Sequence, residues 1–188
     1  MLKDQELIEK QLSREEIFKG SLLHVTRDTV ELPNGKASVR ECIWHPGAVV
    51  MIPVLKNETL IMERQFRYAP NQIFYELPAG KLDPGEDYLT CGKRELLEET
   101  GYHAENWSFV ANIHPAIGFA NEKMALYLAT ELSFKNIKRD HDEFLEVLEI
   151  ELDDALDMIR TNRITDAKTI TGLFWAEKIL RGHWQPNG

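Results

Sequence analysis

The stretch GKLDPGEDYLTCGKRELLEETGY, Gly80–Tyr102, crowds Glu95, Glu98 and Glu99 into the last turns of what reads as a helix. Asp87 can cap a helix that starts near Tyr88, and Gly101 can end it in a left-handed conformation. At the helical period, the three glutamates fall within about 100° of arc on one face. Leu89 and Leu96 form a neighbouring stripe that can anchor the helix to a core. Gly92 stands between them; a helical glycine costs about 1 kcal/mol relative to alanine, which implies close packing there. Arg94 can pair with Glu98 at i,i+4. Three adjacent carboxylates repel one another unless cations neutralise them. Oxygen ligands suit hard divalent ions, and a carboxylate-held Mg²⁺ is common apparatus for attack on a phosphoryl group. The same residues also read as a solvated acidic face, and the helix alone leaves both readings open.

Working outward, GAVVMIPVL (47–55) is a continuous apolar run of strand length, the pattern of a strand buried on both faces. TLIMERQFRY follows after Lys56-Asn57-Glu58 and predicts a hairpin with it. IFYELPAG reads as a short strand ending at Pro78 and Gly80. WSFVANI, MALYLATEL and FLEVLEIEL are further strands. DDALDMIRTNR and DAKTITGLFWAEKILRG read as amphipathic helices, with Asp153 and Asp166 as N-caps and Gly182 as the final stop. Upstream, SLLHVTRDTVELPNGKASVRECIWH reads as two strands around an Asn34-Gly35 turn. Two strands cannot bury a face alone, so this piece leans on the rest of the chain or on a second subunit. Residues 1–19 read as a mobile or helical arm. The fold class is therefore α/β (α+β), a mixed sheet between helices preceded by a small antiparallel β piece, with regions at 1–45 and 46–188.

The chain of 188 residues is 43% hydrophobic and 28% charged, ordinary for one packed domain with a small appendage. A formal charge of −9 argues against nucleic acid or an anionic membrane as partner. Two cysteines, Cys42 and Cys91, make no disulfide framework, and no apolar run approaches the ~20 residues that span a bilayer. With a polar, acidic N-terminus unlike a leader peptide, the expectation is a cytoplasmic protein. The six histidines form no HxH or HExxH pair, so no zinc site is expected.

Gly80, Glu86 and the run Arg94-Glu95-Leu96-Leu97-Glu98-Glu99-Thr100-Gly101-Tyr102 together resemble the Nudix box, GX5EX7REUXEEXGU, at every fixed position. RQFRYAPNQIFYELPAGKLDPGE resembles the subgroup that cleaves ADP-ribose and related nucleoside diphosphate sugars. GSLLHVTRDTVELPNG, HPGAVVMIPV and ITDAKTITGL look similar to that subgroup too, so the likeness covers nearly all of residues 14–181. Pro115 stands fourteen residues past Gly101, where the subgroup carries a proline; here HPAIGFANEK has two more residues between proline and glycine than the common form.

The resemblance implies a Nudix-type α/β/α sandwich and Mg²⁺-dependent hydrolysis of a pyrophosphate P–O bond, with two to three ions and Mn²⁺ as a substitute. It implies Glu95 and Glu99 as principal metal ligands, Glu98 at a further ion, and the Ala79 carbonyl completing one site. It points to Glu122 as general base, with Glu98 as the other candidate. Arg67, then Arg64, are the candidates for the pyrophosphate, since a guanidinium fork matches phosphate oxygens. Leu22 and Glu41 are the implied base-pocket residues, against plain hairpin packing and solvent exposure. Glu86 either touches metal or ties its loop to the helix; Arg94 and Asp83 read as structural, and Cys91 as a buried small side chain. The implied substrate is ADP-ribose or a related ADP-sugar, giving AMP and a sugar phosphate. GDP-mannose or another NDP-sugar is the alternative within the enzyme class, and a non-catalytic ADP-ribose sensor the alternative outside it. A sensor would be expected to have lost box carboxylates, and none is missing here. A homodimer through the N-terminal hairpin is also implied.

Overall fold

The computed structural model describes residues 3–136 and 144–187, so residues 1 and 2 of the expected arm lie outside it. The chain divides into two compact units: Met1–Pro46 with Ala116–Lys123, and Gly47–Pro115 with Met124–Gly188. The short segment after Pro115, Ala116–Lys123, groups with the N-terminal unit.

In the first unit, β1 (Lys10–Lys19), β2 (His24–Glu31) and β3 (Ala37–Trp44) form an antiparallel sheet in that order. The expected arm is therefore largely a strand. Its pattern was obscured by two register shifts, at Gln11/Ser13 and Glu16/Phe18, which break the alternation that marks a strand. Arg14 fixes the register by gripping Asp28 across the ladder at 2.6–3.1 Å and lies over the Trp44 ring at 4.2 Å. Trp44 donates its indole N–H to Thr26 at 2.9 Å. Gly35, at φ 78°, supplies the left-handed residue of the β2–β3 turn. Residues 116–123 are stitched to the end of β3: Ile43 N donates to Phe119 O, and Asn121 N to Ile43 O.

The second unit is built around β4 (Ala48–Pro53), buried at every position. Val50 and Ile52 face one core, and Val49 and Met51 face another. Each such side chain contributes roughly 1.5–3 kcal/mol relative to exposure. Among the described residues, β4 sits in a mixed four-stranded sheet, β7 (Ala79–Lys81), β4, β9 (Met124–Phe134), β8 (Tyr102–Ile113), in which β4 and β9 run parallel. A second, antiparallel sheet has the order β10 (Leu145–Glu151), β5 (Thr59–Arg67), β6 (Gln72–Glu76). Helix α1 (Tyr88–Glu95) covers one face of the four-stranded sheet through Cys91, with Leu96 just beyond it. Helices α2 (Leu152–Arg160) and α3 (Ala167–Leu180) cover the other through Leu152, Ala155, Leu173 and Ala176.

Three local expectations change. The β4–β5 hairpin closes, with Leu55 N on Thr59 O and left-handed Asn57 and Glu58, but the strands then part into different sheets. Both edges of β4 are already taken, by β7 and β9. IFYELPAG is two strands, β6 and β7, divided at Leu77-Pro78, where proline cannot donate to a ladder. Helix α2 starts two residues early: Glu151 is its N-cap, and Asp153 lies in the first turn, where its charge favours the helix dipole. Asp166 caps α3 as expected, accepting from Thr169 N. No helix among the described residues is long and apolar enough to cross a membrane.

Candidate active site

Helix α1 begins where Asp87 accepts the N–H groups of Leu89 and Thr90, both at 3.0 Å. Its last turn opens into a π-turn over Leu96–Thr100, closed by Gly101 at φ 78°. Such turns are frequent at functional sites. Glu99 becomes buried, at 6% exposure, and Glu95 nearly so at 13%, while Glu98 stays open at 41%. Leu96 is fully buried, but Leu89 is only half-buried; Tyr88 and Cys91 make the contact expected of it. Gly92 is close-packed, since a Cβ there would meet Val49 at 3.2 Å and Trp107 at 3.3 Å.

Arg94 organises the carboxylates. Its Nε and Nη2 grip Glu86 at 3.0 and 2.8 Å, and its Nη1 meets Glu95 at 2.9 Å and Glu98 at 3.0 Å. The Arg94 hydrogen bond, helped by the N–H of Asp83, holds the Glu86 carboxyl down at about 2. Glu86 raises the Arg94 guanidinium in return. Glu86 thus ties the LDPGE turn to the helix, and Arg94 places one cation against Glu86, Glu95 and Glu98. Burial first, and then the charges of Glu86 and Glu95, push the Cys91 thiol up to about 12, which suits an unreactive packed side chain.

Glu95, Glu98 and Glu99 line one cleft of about 660 Å³ with Arg67, Ala79 and Lys81. A Cβ at Gly80 would overlap the Cγ, Cδ and Oε1 of Glu95, so this glycine is the recess in which that carboxylate lies. Among the described residues, no three His, Cys, Asp or Glu side chains are gathered in the geometry of a metal centre. Glu95 and Glu98 are instead engaged by Arg94. The donor set nevertheless fits a hard divalent ion: three carboxylates and a backbone segment, all oxygen, at one cleft.

Arg67 reaches the cleft with its fork on Glu76, Nε to Oε1 at 2.7 Å and Nη2 to Oε2 at 2.8 Å. Arg64 is not among the cleft's lining residues. One position from Gln65 on β5, it points to the other strand face, meeting Glu146 at 3.1 Å and the Tyr75 ring at 5.9 Å. Glu122, Leu22 and Glu41 belong to the first unit. There Glu122 Oε1 stands 3.7 Å from His45 Nδ1, Leu22 is exposed between β1 and β2, and Glu41 meets Arg27 at 3.4 Å. Glu76 and Lys168 carry no role in the sequence analysis, and Asp166 only that of an N-cap. The signal was present, because Lys168 falls in the buried row of α3 with Thr169, Gly172, Leu173 and Ala176. A lysine in such a row requires a partner.

Comparison with known proteins bears on this site. The NUDIX domain family matches residues 44–172, and the nucleoside diphosphate sugar hydrolase N-terminal domain matches residues 9–43. The chain is 44% identical over 165 residues to an ADP-ribose pyrophosphatase of Bacillus subtilis (strain 168), covering 87% of this chain and 89% of that protein. It is 42% identical over 164 residues to a methanol dehydrogenase activator of Bacillus methanolicus, covering 86% and 89%. A crystal structure of an ADP compounds hydrolase superposes with TM-score 0.83 over 94% of this chain and 97% of that one, at 24% identity, and shows the shared fold.

Proposed function

The chain belongs to the NUDIX family, whose domain spans most of it, and from that premise we propose that it hydrolyses the pyrophosphate bond of ADP-ribose or a related ADP-sugar. The products are AMP and, from ADP-ribose, ribose 5-phosphate. The observation that carries this reading is the single cleft that collects Glu95, Glu98, Glu99, Ala79 and Arg67. The likeness to an ADP-ribose pyrophosphatase over nearly the whole chain supports the substrate.

Glu95, Glu99 and the Ala79 carbonyl would hold a divalent ion, and Glu98 a further one. Mg²⁺, or Mn²⁺ in its place, supplies charge neutralisation of phosphate oxygens and a more acidic water. Arg67 binds the pyrophosphate with the N–H donors that Glu76 leaves free. Arg94 holds Glu95 and Glu98 in place. On the family resemblance we assign the general base to Glu122, with Glu98 as the second candidate.

The test is product analysis with Mg²⁺ on ADP-ribose, ADP-glucose, GDP-mannose, NADH and diadenosine polyphosphates side by side. Selective AMP release from ADP-ribose is expected, and Glu122→Gln should lower kcat by about 10²–10⁴. Preference for GDP-mannose would overturn the substrate. Tight binding of ADP-ribose without turnover would make the protein a sensor. A Glu122→Gln variant of ordinary rate would pass the base to Glu98.

We also propose a homodimer through the N-terminal unit. Leu12, Ile17, Phe18 and Val39 are 45–55% exposed on its strands, more apolar surface than a short sheet leaves open without a partner. Light scattering should give twice the 21.7 kDa chain mass. Ile17→Asp should move the mass toward one chain; a single-chain mass for the wild type would refute the dimer.

A further inference from the structure

Arg67 does not stand alone at the cleft wall. Behind it, Glu76 is almost fully buried, with 3% of its side chain exposed, and receives two cations: the Arg67 fork and the Lys168 ammonium. Lys168, itself 10% exposed, also meets Asp166 at 2.8 Å. Asp166 takes Thr169 N and Oγ1 at 3.1 and 2.6 Å, and Thr169 Oγ1 in turn accepts Leu77 N at 2.9 Å. The start of α3 is thereby bonded to Glu76 and Leu77, the residues that lead into Pro78 and Ala79. Burial pushes the Glu76 carboxyl up, but Arg67 and Lys168 outweigh it and hold the group below the usual carboxylate range.

Resting on the function proposed above, we propose that Glu76 and Lys168 are positioning residues for Arg67, fixing its guanidinium at the cleft to receive the pyrophosphate of a nucleoside diphosphate sugar. The donor arithmetic fits the role. Glu76 takes two of the five guanidinium N–H groups, and among the described residues no other group takes the remaining three. With 43% of its side chain exposed, Arg67 keeps those donors within reach of solvent and of a ligand. A clamp serving only to dock α3 would need Lys168, Asp166 and Thr169, and would have no use for a half-exposed arginine. An unheld arginine must be ordered by the substrate at an entropic cost, whereas one already gripped by a buried carboxylate binds pre-formed. Lys168 is the second cation that lets Glu76 stay buried and ionised while Arg67 still faces outward.

The experiment is calorimetric binding of ADP-ribose with divalent ions chelated, so that affinity is read without turnover, followed by steady-state kinetics with Mg²⁺. Glu76→Gln keeps the shape and removes the charge; it should weaken binding about tenfold and raise KM alike, with kcat changed less than about threefold. In an Arg67→Ala background the same change should add less than about twofold, because the group it positions is gone. Lys168→Met should behave like Glu76→Gln, and Lys168→Arg should recover most of the affinity, which keeps the test decisive if Glu76→Gln folds poorly. Unchanged affinity in Glu76→Gln and Lys168→Met, or effects that add fully to Arg67→Ala, would overturn the proposal while leaving the hydrolase reading intact. Wild-type protein that neither binds nor cleaves ADP-ribose would remove both.

Discussion

Glu99→Gln should lower kcat for ADP-ribose hydrolysis by about a thousandfold while the protein stays folded. The substitution keeps the shape of the side chain and removes one negative charge from the cleft. A ligand carboxylate of a divalent ion supports several kcal/mol of transition-state charge stabilisation, and about 4 kcal/mol corresponds to three powers of ten. Glu99 is the most buried of the three box glutamates and is held in the π-turn of Leu96–Thr100, so little else can move into its place. Glu95→Gln should cost as much activity and more stability, because Glu95 also meets Arg94 at 2.9 Å. Steady-state rates at saturating substrate and metal, with thermal melts of each variant, separate the two effects. A Glu99→Gln rate within tenfold of the wild type would show that this carboxylate holds no essential ion.

Gly80→Ala should lower activity about a hundredfold and stability by about 1–3 kcal/mol, although it adds one methyl group. The new Cβ would occupy the space of the Glu95 carboxylate and its Cγ. Either Glu95 leaves its recess or β7 shifts away from β4, and both displace the oxygens of the proposed metal site. The strain is steric, not conformational, because Gly80 is not among the left-handed glycines. Gly92→Ala is the matched control on α1. Its Cβ would meet Val49 and Trp107 at 3.2 and 3.3 Å, a mild crowding set against a gain of about 1 kcal/mol in helix propensity. Kinetics and melts of the two variants side by side test the recess. A fully active Gly80→Ala enzyme would mean that Glu95 need not lie against β7.

The helix was legible in the sequence because its signals are local. Asp87, Gly92 and Gly101 each do what their residue types imply. The π-turn was not legible, since LLEET carries no residue that forbids a regular helix, and Glu99 lies buried within it. The strand Lys10–Lys19 was hidden by its bulges, and the parting of β4 from β5 depended on strands far along the chain, β7 and β9, claiming the edges of β4. At the site, the box spacing marked Glu95, Glu98 and Glu99, which the fold brings to one cleft with Arg67 and Ala79. The sequence ranks Arg67 ahead of Arg64, and the pleat separates the two, because residues three apart on a strand face opposite ways. Glu76 and Lys168 are ninety-two residues apart and meet only through the packing of α3 onto β6, a contact that no local pattern announces.

The most direct test of the central claim is phosphorus NMR of ADP-ribose incubated with the purified protein and Mg²⁺. Cleavage at the pyrophosphate converts the two diphosphate resonances into two phosphomonoester resonances of equal intensity, those of AMP and ribose 5-phosphate. That conversion, abolished by chelation and by Glu99→Gln, is the predicted result. Diphosphate resonances that persist unchanged in the presence of the protein and Mg²⁺ would contradict it.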